Sequence, residues 1–341
     1  MSTIQSTDEL DELITKPTAG VLRAVGESPG RFAVLGAGGK MGFHVSRMLS
    51  RALESLGRTD QVITVSRFGS QRKRAEFEAA GFEVLAADMS NPDQVDKLPL
   101  AENVFYLAGI KFGTSGNAAL LEQMNLTMPR LVAERYRQSR IVALSTGCVY
   151  DYVTPESGGS SEKSSTNPPG EYAQSCLGRE HAFSEASERN GTRVSLIRLN
   201  YSVELRYGVL VDIAQKVLQD EEVSLDTGYA NVIWQGDAVA HVIQSLSHVS
   251  APPFILNVTG PGILKVRDVA TMFGERFGRT PRFVGQPKET AWLNDASLSH
   301  QLFGLPAVTV TQMIDWIADW LQQGKETLNK PTQFEVRDGK Y

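Results

Sequence analysis

The sequence predicts an α/β protein: a doubly wound parallel sheet with a smaller α/β cap on its C-terminal side. Three observations lead there. Short, apolar, β-branched runs alternate with amphipathic helical segments from Arg31 to about Asn200. Several of those runs are apolar on both faces, as strands covered by helices on either side must be. The first of them ends in a glycine-rich turn that leads directly into a helix.

Residues 1–30 read as one or two appended helices. Leu10, Leu13 and Ile14, then Val21 and Leu22 after Pro17, are expected to pack on the outside of the domain and to carry no chemistry. Phe32–Leu35 is the first strand, and residues 44–56 follow as a helix with Val45, Met48, Leu49, Leu53 and Leu56 at helical spacing. Residues 61–66, Glu83–Ala86, 103–107, 140–144 and 193–197 are the next five strands. The longest helices between them span 118–138 and 172–190. Residues 151–171 are too polar for a core and form a long loop on the crevice side, either a lid or a surface excursion. Past Asn200 the alternation decays. Helices are expected over 208–219, 237–247, Val266–Phe277 and 310–323, with a strand at Phe254–Val258 and the last helix closing the compact part. The division is therefore an extension over 1–30, a sheet domain over 31–200, a cap over 201–325 and a tail over 326–341. The segment 237–247 is a candidate to return to the sheet domain.

Composition excludes several function classes. At 341 residues the chain can bury one large core or two modest ones. A formal charge of −5 without a long basic run excludes a nucleic-acid partner. Cys148 and Cys176 form no CxxC or Cys/His pattern and the five histidines are scattered, so neither a disulfide framework nor a metal site is expected. Asp8, Glu9, Asp11 and Glu12 stand where a signal peptide would need positive charge. No stretch approaches the ~18 apolar residues of a membrane span. A cytoplasmic protein is expected.

The glycine turn, Gly36-Ala-Gly38-Gly39-Lys40-Met41-Gly42, carries the chemistry. A pyrophosphate must come within hydrogen-bonding distance of backbone N–H groups at a helix N-terminus, and a side chain at the turn would block it. A dinucleotide is the ligand this pattern predicts. The second strand ends Val65-Ser66-Arg67, without the carboxylate that would accept from both ribose hydroxyls. Ser66 can donate to a 2′-phosphate and Arg67 can pair with it, while Arg72 or Lys73 adds charge. NADP is expected over NAD.

Taken in order, the motifs resemble the extended short-chain dehydrogenase/reductases, the family of sugar-nucleotide epimerases and dehydratases, over about residues 31–325. Their GxxGxxG falls on Gly36, Gly39 and Gly42, and their third-strand acidic residue on Asp88, followed by Met89. Tyr106-Leu107-Ala108-Gly109 is similar to their fourth-strand end, and Ser145-Thr146-Gly147-Cys148-Val149-Tyr150-Asp151 to their fifth. Asn231 to Ala240 and Asp295 to Pro306 look like their cap motifs. The resemblance implies a Rossmann domain with Asp88 at the adenine and Leu107, Ala108 and Gly109 beside the nicotinamide. It puts Tyr172 at the position of the catalytic acid/base, with Thr146, or Ser145 as a second candidate, on the reacting oxygen. It also implies an NADP-dependent oxidoreductase, epimerase or dehydratase for a sugar or other polyhydroxylated carbonyl compound, and a homodimer through the two long helices.

The chain departs from that pattern at one place: the lysine expected one turn after the tyrosine is Cys176. A phenol ionises near ~10 and needs a neighbouring cation to act as a base near neutrality. Three readings stay open. Tyr172 serves as a neutral acid; or Lys111 or Arg179, the latter near the same helix face, supplies the charge; or the protein binds NADP without catalysis, as a regulatory or interaction module. Asn200 resembles an asparagine that in relatives touches substrate phosphate.

Overall fold

Side-chain alternation decides the architecture. In the computed structural model, which describes residues 4–110 and 117–337, the strand β1 (Phe32–Leu35) sends Phe32 and Val34 into one buried cluster and Ala33 and Leu35 into another. Both faces are thus apolar, and each is covered by helices. Strands β4 (Asn103–Tyr106), β5 (Arg140–Thr146) and β6 (Arg193–Leu199) repeat the arrangement, β2 (Ile63–Ser66) buries Ile63 and Val65 on one face with Thr64 on the other, and the edge strand β3 (Glu83–Ala86) is only partly buried. The sheet has seven strands, all parallel, in the order Phe254–Val258, β6, β5, β4, β1, β2, β3. The strand order reverses beside β1, so the crevice opens where the C-terminal ends of β1 and β4 part. This is the doubly wound fold read from the sequence.

On one face lie α2 (Ala19–Gly26), α3 (Gly42–Ser55) and the helix Gln235–Gln244, with α1 (Thr7–Ile14) against the last of these; on the other lie the helices Met128–Arg135 and Gly170–Asn190. The extension is not an outside ornament. Val21 and Val25 of α2 belong to the core above the sheet, and Leu10 and Ile14 of α1 to the core of the cap. Helices of eight residues are marginal alone, and their apolar stripes are stable only under cover.

Four further expectations are corrected. Phe254–Val258, read as cap, is the edge strand of the main sheet, paired in parallel with β6 from Ser195 to Leu199. Residues 326–337 do not trail free past the last helix: Thr332 and Phe334 are buried, and the Thr332 hydroxyl and amide both donate to Asp212 Oδ2. The apolar Phe334 side chain and the half-buried carboxylate of Asp212, which accepts twice from Thr332, hold the tail across the cap. The polar segment after Tyr150 is neither a detached lid nor a loose excursion. Val153 exchanges backbone hydrogen bonds with Ala291, and Ser160 with Leu293 and Asp295. The long helix expected over 118–138 is interrupted by a π-turn at Gln123–Thr127.

Candidate active site

The glycine turn closes tightly against the strand ends. Gly36 has φ +88°, and a Cβ there would lie 2.5 Å from the Ala108 amide nitrogen. At Gly42 a Cβ would run into the Ala37 carbonyl, so α3 starts directly on the turn. Met41 caps α3 without a side-chain bond, which leaves first-turn N–H groups to a ligand's oxygens. A groove runs from here past Ser66, Arg67, Lys73, Asp88, Met89, Leu107, Ala108 and Gly109. Ser66 Oγ accepts from the Phe68 amide at 3.3 Å and keeps its own proton to donate, while Arg67 is exposed at the mouth. Lys73 Nζ donates to the Gly38 carbonyl at 2.7 Å. The hydroxyl and amide of Ser90 both donate to Asp88 Oδ1, at 2.7 and 3.0 Å, and hold that carboxyl below its usual range. These residues fit a dinucleotide: a cradle that side chains would fill, open amides, and donors at the ribose end.

Past Gly36 and Gly39 the groove enters a cleft of about 270 Å³ between the sheet and the cap. Lys40 and Met41 line it, the Lys40 ammonium lying 3.2 Å over the Tyr207 ring. Thr146, Ser145, Cys148 and Tyr172 line the opposite side, and Thr332 of the tail closes it. The two hydroxyls at the end of β5 are used differently. Ser145 Oγ donates to Glu180 Oε1 at 2.5 Å. Glu180 is held by Arg198 (2.7 Å), which also donates to the Tyr150 hydroxyl (2.8 Å), itself bonded to Asn257. Thr146 Oγ1 accepts from the Cys148 amide at 3.2 Å, so its proton remains for the cleft.

Tyr172 is half-buried and hydrogen-bonded to Cys176, which is fully buried one turn on. Burial pushes the Tyr172 phenol well above its ordinary value; the Cys176 and Cys148 thiols add to this and Arg179 opposes it. Asn200 lines the cleft, but its side-chain amide donates to Asn231 Oδ1 (2.9 Å) and the Trp292 carbonyl (3.3 Å), tying the cap's loops together. Lys111 lies outside the described residues. Sequence reasoning passed over Glu180, Arg198, Asn125 and Thr332. One signal was available: Tyr172, Cys176, Arg179, Glu180 and Phe183 share one helix face, so two charges fall on a stripe that is otherwise core.

Residues 32–209 match the NAD dependent epimerase/dehydratase family. No curated protein matches the sequence. Among solved structures, a Thermus thermophilus UDP-glucose 4-epimerase complex with NAD is similar at a TM-score of 0.68 and 20% identity, covering 86% of this chain and 99% of that one. Bacillus cereus UDP-glucuronic acid 4-epimerase in complex with UDP-glucuronic acid and NAD gives 0.69 and 17% over the same shares. A UDP-galactose 4-epimerase gives 0.67 and 22%, again over 86% and 99%. At these identities the likeness is one of fold. The family match, in contrast, spans more than half of the chain and takes in the glycine turn, the strand ends and Tyr172. The chain belongs to the NAD dependent epimerase/dehydratase family.

Proposed function

We propose that this protein is an NADP-linked enzyme that transfers a proton and a hydride to or from a small polyhydroxylated carbonyl compound, with Tyr172 as the proton donor. The observation that carries the reading is the meeting of Tyr172 and Thr146 with the glycine turn in one cleft. When bound, the nicotinamide would supply the hydride chemistry. Thr146 holds the substrate oxygen with the proton it does not use on Cys148. Tyr172 keeps its proton through neutral pH because burial raises its pKa, which suits it to protonate an oxygen as a carbonyl is reduced. Ser145, committed to Glu180, braces the helix rather than the substrate.

Ser66, Arg67 and Lys73 support NADP, since no carboxylate stands at the end of β2 to repel a 2′-phosphate. The solved relatives named above with a cofactor in their descriptions carry NAD. A small substrate without a nucleotide is supported by three cations of the cap that are engaged elsewhere. Arg206 pairs with Glu204 and Asp11, Lys216 with Glu335, and Arg267 stacks on Phe283. The homodimer reading would use the outward faces of Met128–Arg135 and Gly170–Asn190, where Leu131 and Leu177 are partly exposed beside the Arg130–Glu185 pair. Light scattering at micromolar concentration tests it, and a monomer removes it.

Thermal unfolding with NADP(H), NAD(H) or neither is the direct test. A ligand that binds only the folded state stabilises it by about 2.7 kcal/mol at a hundredfold excess over its Kd. A selective rise with NADP(H) is expected, followed by turnover on screened ketoses and hydroxy-aldehydes that Tyr172→Phe abolishes. No rise with either dinucleotide sinks the reading. A cofactor-dependent rise with no turnover on any substrate favours the regulatory module, for which the replacement of lysine by Cys176 is the specific support.

A further inference from the structure

Among the described residues, Arg179 is a buried cation, 7% exposed, with no carboxylate in an ion pair to it. Among the described residues its guanidinium hydrogen-bonds to neutral groups alone. Nη1 donates to the Leu144 carbonyl (2.9 Å), Nη2 to Asn125 Oδ1 (2.5 Å), and Nη2 lies 3.9 Å from Cys176 Sγ; Nε has no partner among the described residues. Neutral acceptors compensate a desolvated charge poorly. The other inward-facing arginines have carboxylates: Arg198 has Glu180, and Arg206 has Glu204 and Asp11.

The surroundings are shaped to keep the charge in place. The π-turn Gln123–Thr127 carries Asn125 inward, where its Nδ2 donates to Ser175 Oγ (2.8 Å), and Ser175 Oγ donates to the Tyr172 carbonyl (2.7 Å). A Cβ at Gly109 would collide with Arg179 Nη2, so glycine at that groove position leaves the guanidinium its room. Cys176 stands between the cation and Tyr172 and touches both.

We propose that Arg179, acting through the Cys176 thiol, is the positioning cation that supports Tyr172 when its proton is on the substrate. In that step the Oη–H bond of Tyr172 breaks, the proton passes to the substrate oxygen, and the electron pair stays on Oη. The Cys176 S–H then donates to Oη with the guanidinium charge behind it, and water returns the proton as product leaves. The inference rests on Tyr172 being the proton donor. The titratable and charged groups facing Tyr172 and Arg179 are Tyr106 on β4, Cys148 after β5, and Cys176 and Glu180 on the shared helix. Among the described residues, Arg179 favours the ionised form of Tyr172, whereas the Cys176 and Cys148 thiols disfavour it.

The test uses the full chain with a polyfluorinated tyrosine in place of Tyr172, so that the phenol ionises at accessible pH and is followed by fluorine NMR without cofactor or substrate. Arg179→Met is expected to move that titration upward by about one unit, a tenfold loss of phenolate. Arg179→Lys should move it less. Adding Cys176→Lys to Arg179→Met should restore it, because an ammonium one turn from Tyr172 resupplies the charge. A structural role for Arg179 predicts no such rescue. Circular dichroism checks each variant for folding, and Arg179→Lys with the double variant carries the test if Arg179→Met does not fold. A titration unmoved in folded Arg179→Met, or unrestored in the double variant, overturns the inference. Turnover indifferent to Tyr172→Phe overturns the proton-donor reading itself, a distinguishable result.

Discussion

Ser145 and Thr146 are adjacent hydroxyls at the end of one strand, and their partners separate their roles. Thr146 has its proton for the cleft, so Thr146→Val should reduce turnover by about a hundredfold with little change in unfolding temperature. Ser145→Ala instead leaves Glu180 short of a donor in a buried network. It should cost about 1–3 kcal/mol in urea unfolding and leave cofactor binding intact. At the ribose end, Ser66→Asp places a carboxylate where the 2′-phosphate would sit. It should reverse the preference between NADP and NAD, read as the ratio of their Kd values; an unchanged ratio would remove Ser66 from the cofactor site. The motif residues were legible because each is a residue type demanded by chemistry at a fixed place in the chain. Glu180 and Arg198 were less so, since a buried ion pair is visible only when both partners are known.

At the scale of elements, the strand–turn–helix unit is set by local pattern. β1, β3, Phe254–Val258 and Val266–Phe277 have the boundaries expected of them. β5 and β6 run further than expected, to Thr146 and Leu199, because those two residues still pair with one another. The close approach of α3 to the turn gives a sharp test. Gly42→Ala forces a methyl into the Ala37 carbonyl and must displace the helix start. Loss of the cofactor-induced rise in melting temperature is expected, whereas an unaltered rise would show that the amides of α3 do not hold the ligand. The π-turn at Gln123–Thr127 was not legible, since residues 118–138 carry an ordinary helical pattern. Its Asn125 accepts from Arg179, 54 positions along the chain, a partner that the local pattern does not show.

At the scale of the molecule, α1 and the tail bind the sheet domain to the cap. Asp11 Oδ1 accepts from Arg206 of the cap (2.9 Å) and lies 2.9 Å from His44 Nε2 at the start of α3. His241, buried in the helix Gln235–Gln244, makes the stability depend on pH. Burial and the neighbouring His300 lower its pKa from 6.5 to about 4. The unfolded chain therefore binds the extra proton between those values, so this contribution is complete above pH 6.5 and is lost as pH falls toward 4. The loss is on the order of 3 kcal/mol at most. His241→Leu should flatten the stability profile across that window, and an equally steep profile in the variant would assign the dependence to other groups.

The sequence by itself determined the fold class, the family and the residues of the glycine turn, because period-two and period-3.6 patterns and turn glycines act over a few neighbours. Tertiary structure decided which of two hydroxyls keeps its proton for the cleft, that α1 and the tail complete the cap, and that Arg179 is buried beside Cys176 with no carboxylate paired to it among the described residues. These depend on partners brought together from far apart, such as Thr332 and Asp212 at a separation of 120 residues. The free energy of a buried polar group is fixed by its partners rather than by its neighbours in sequence.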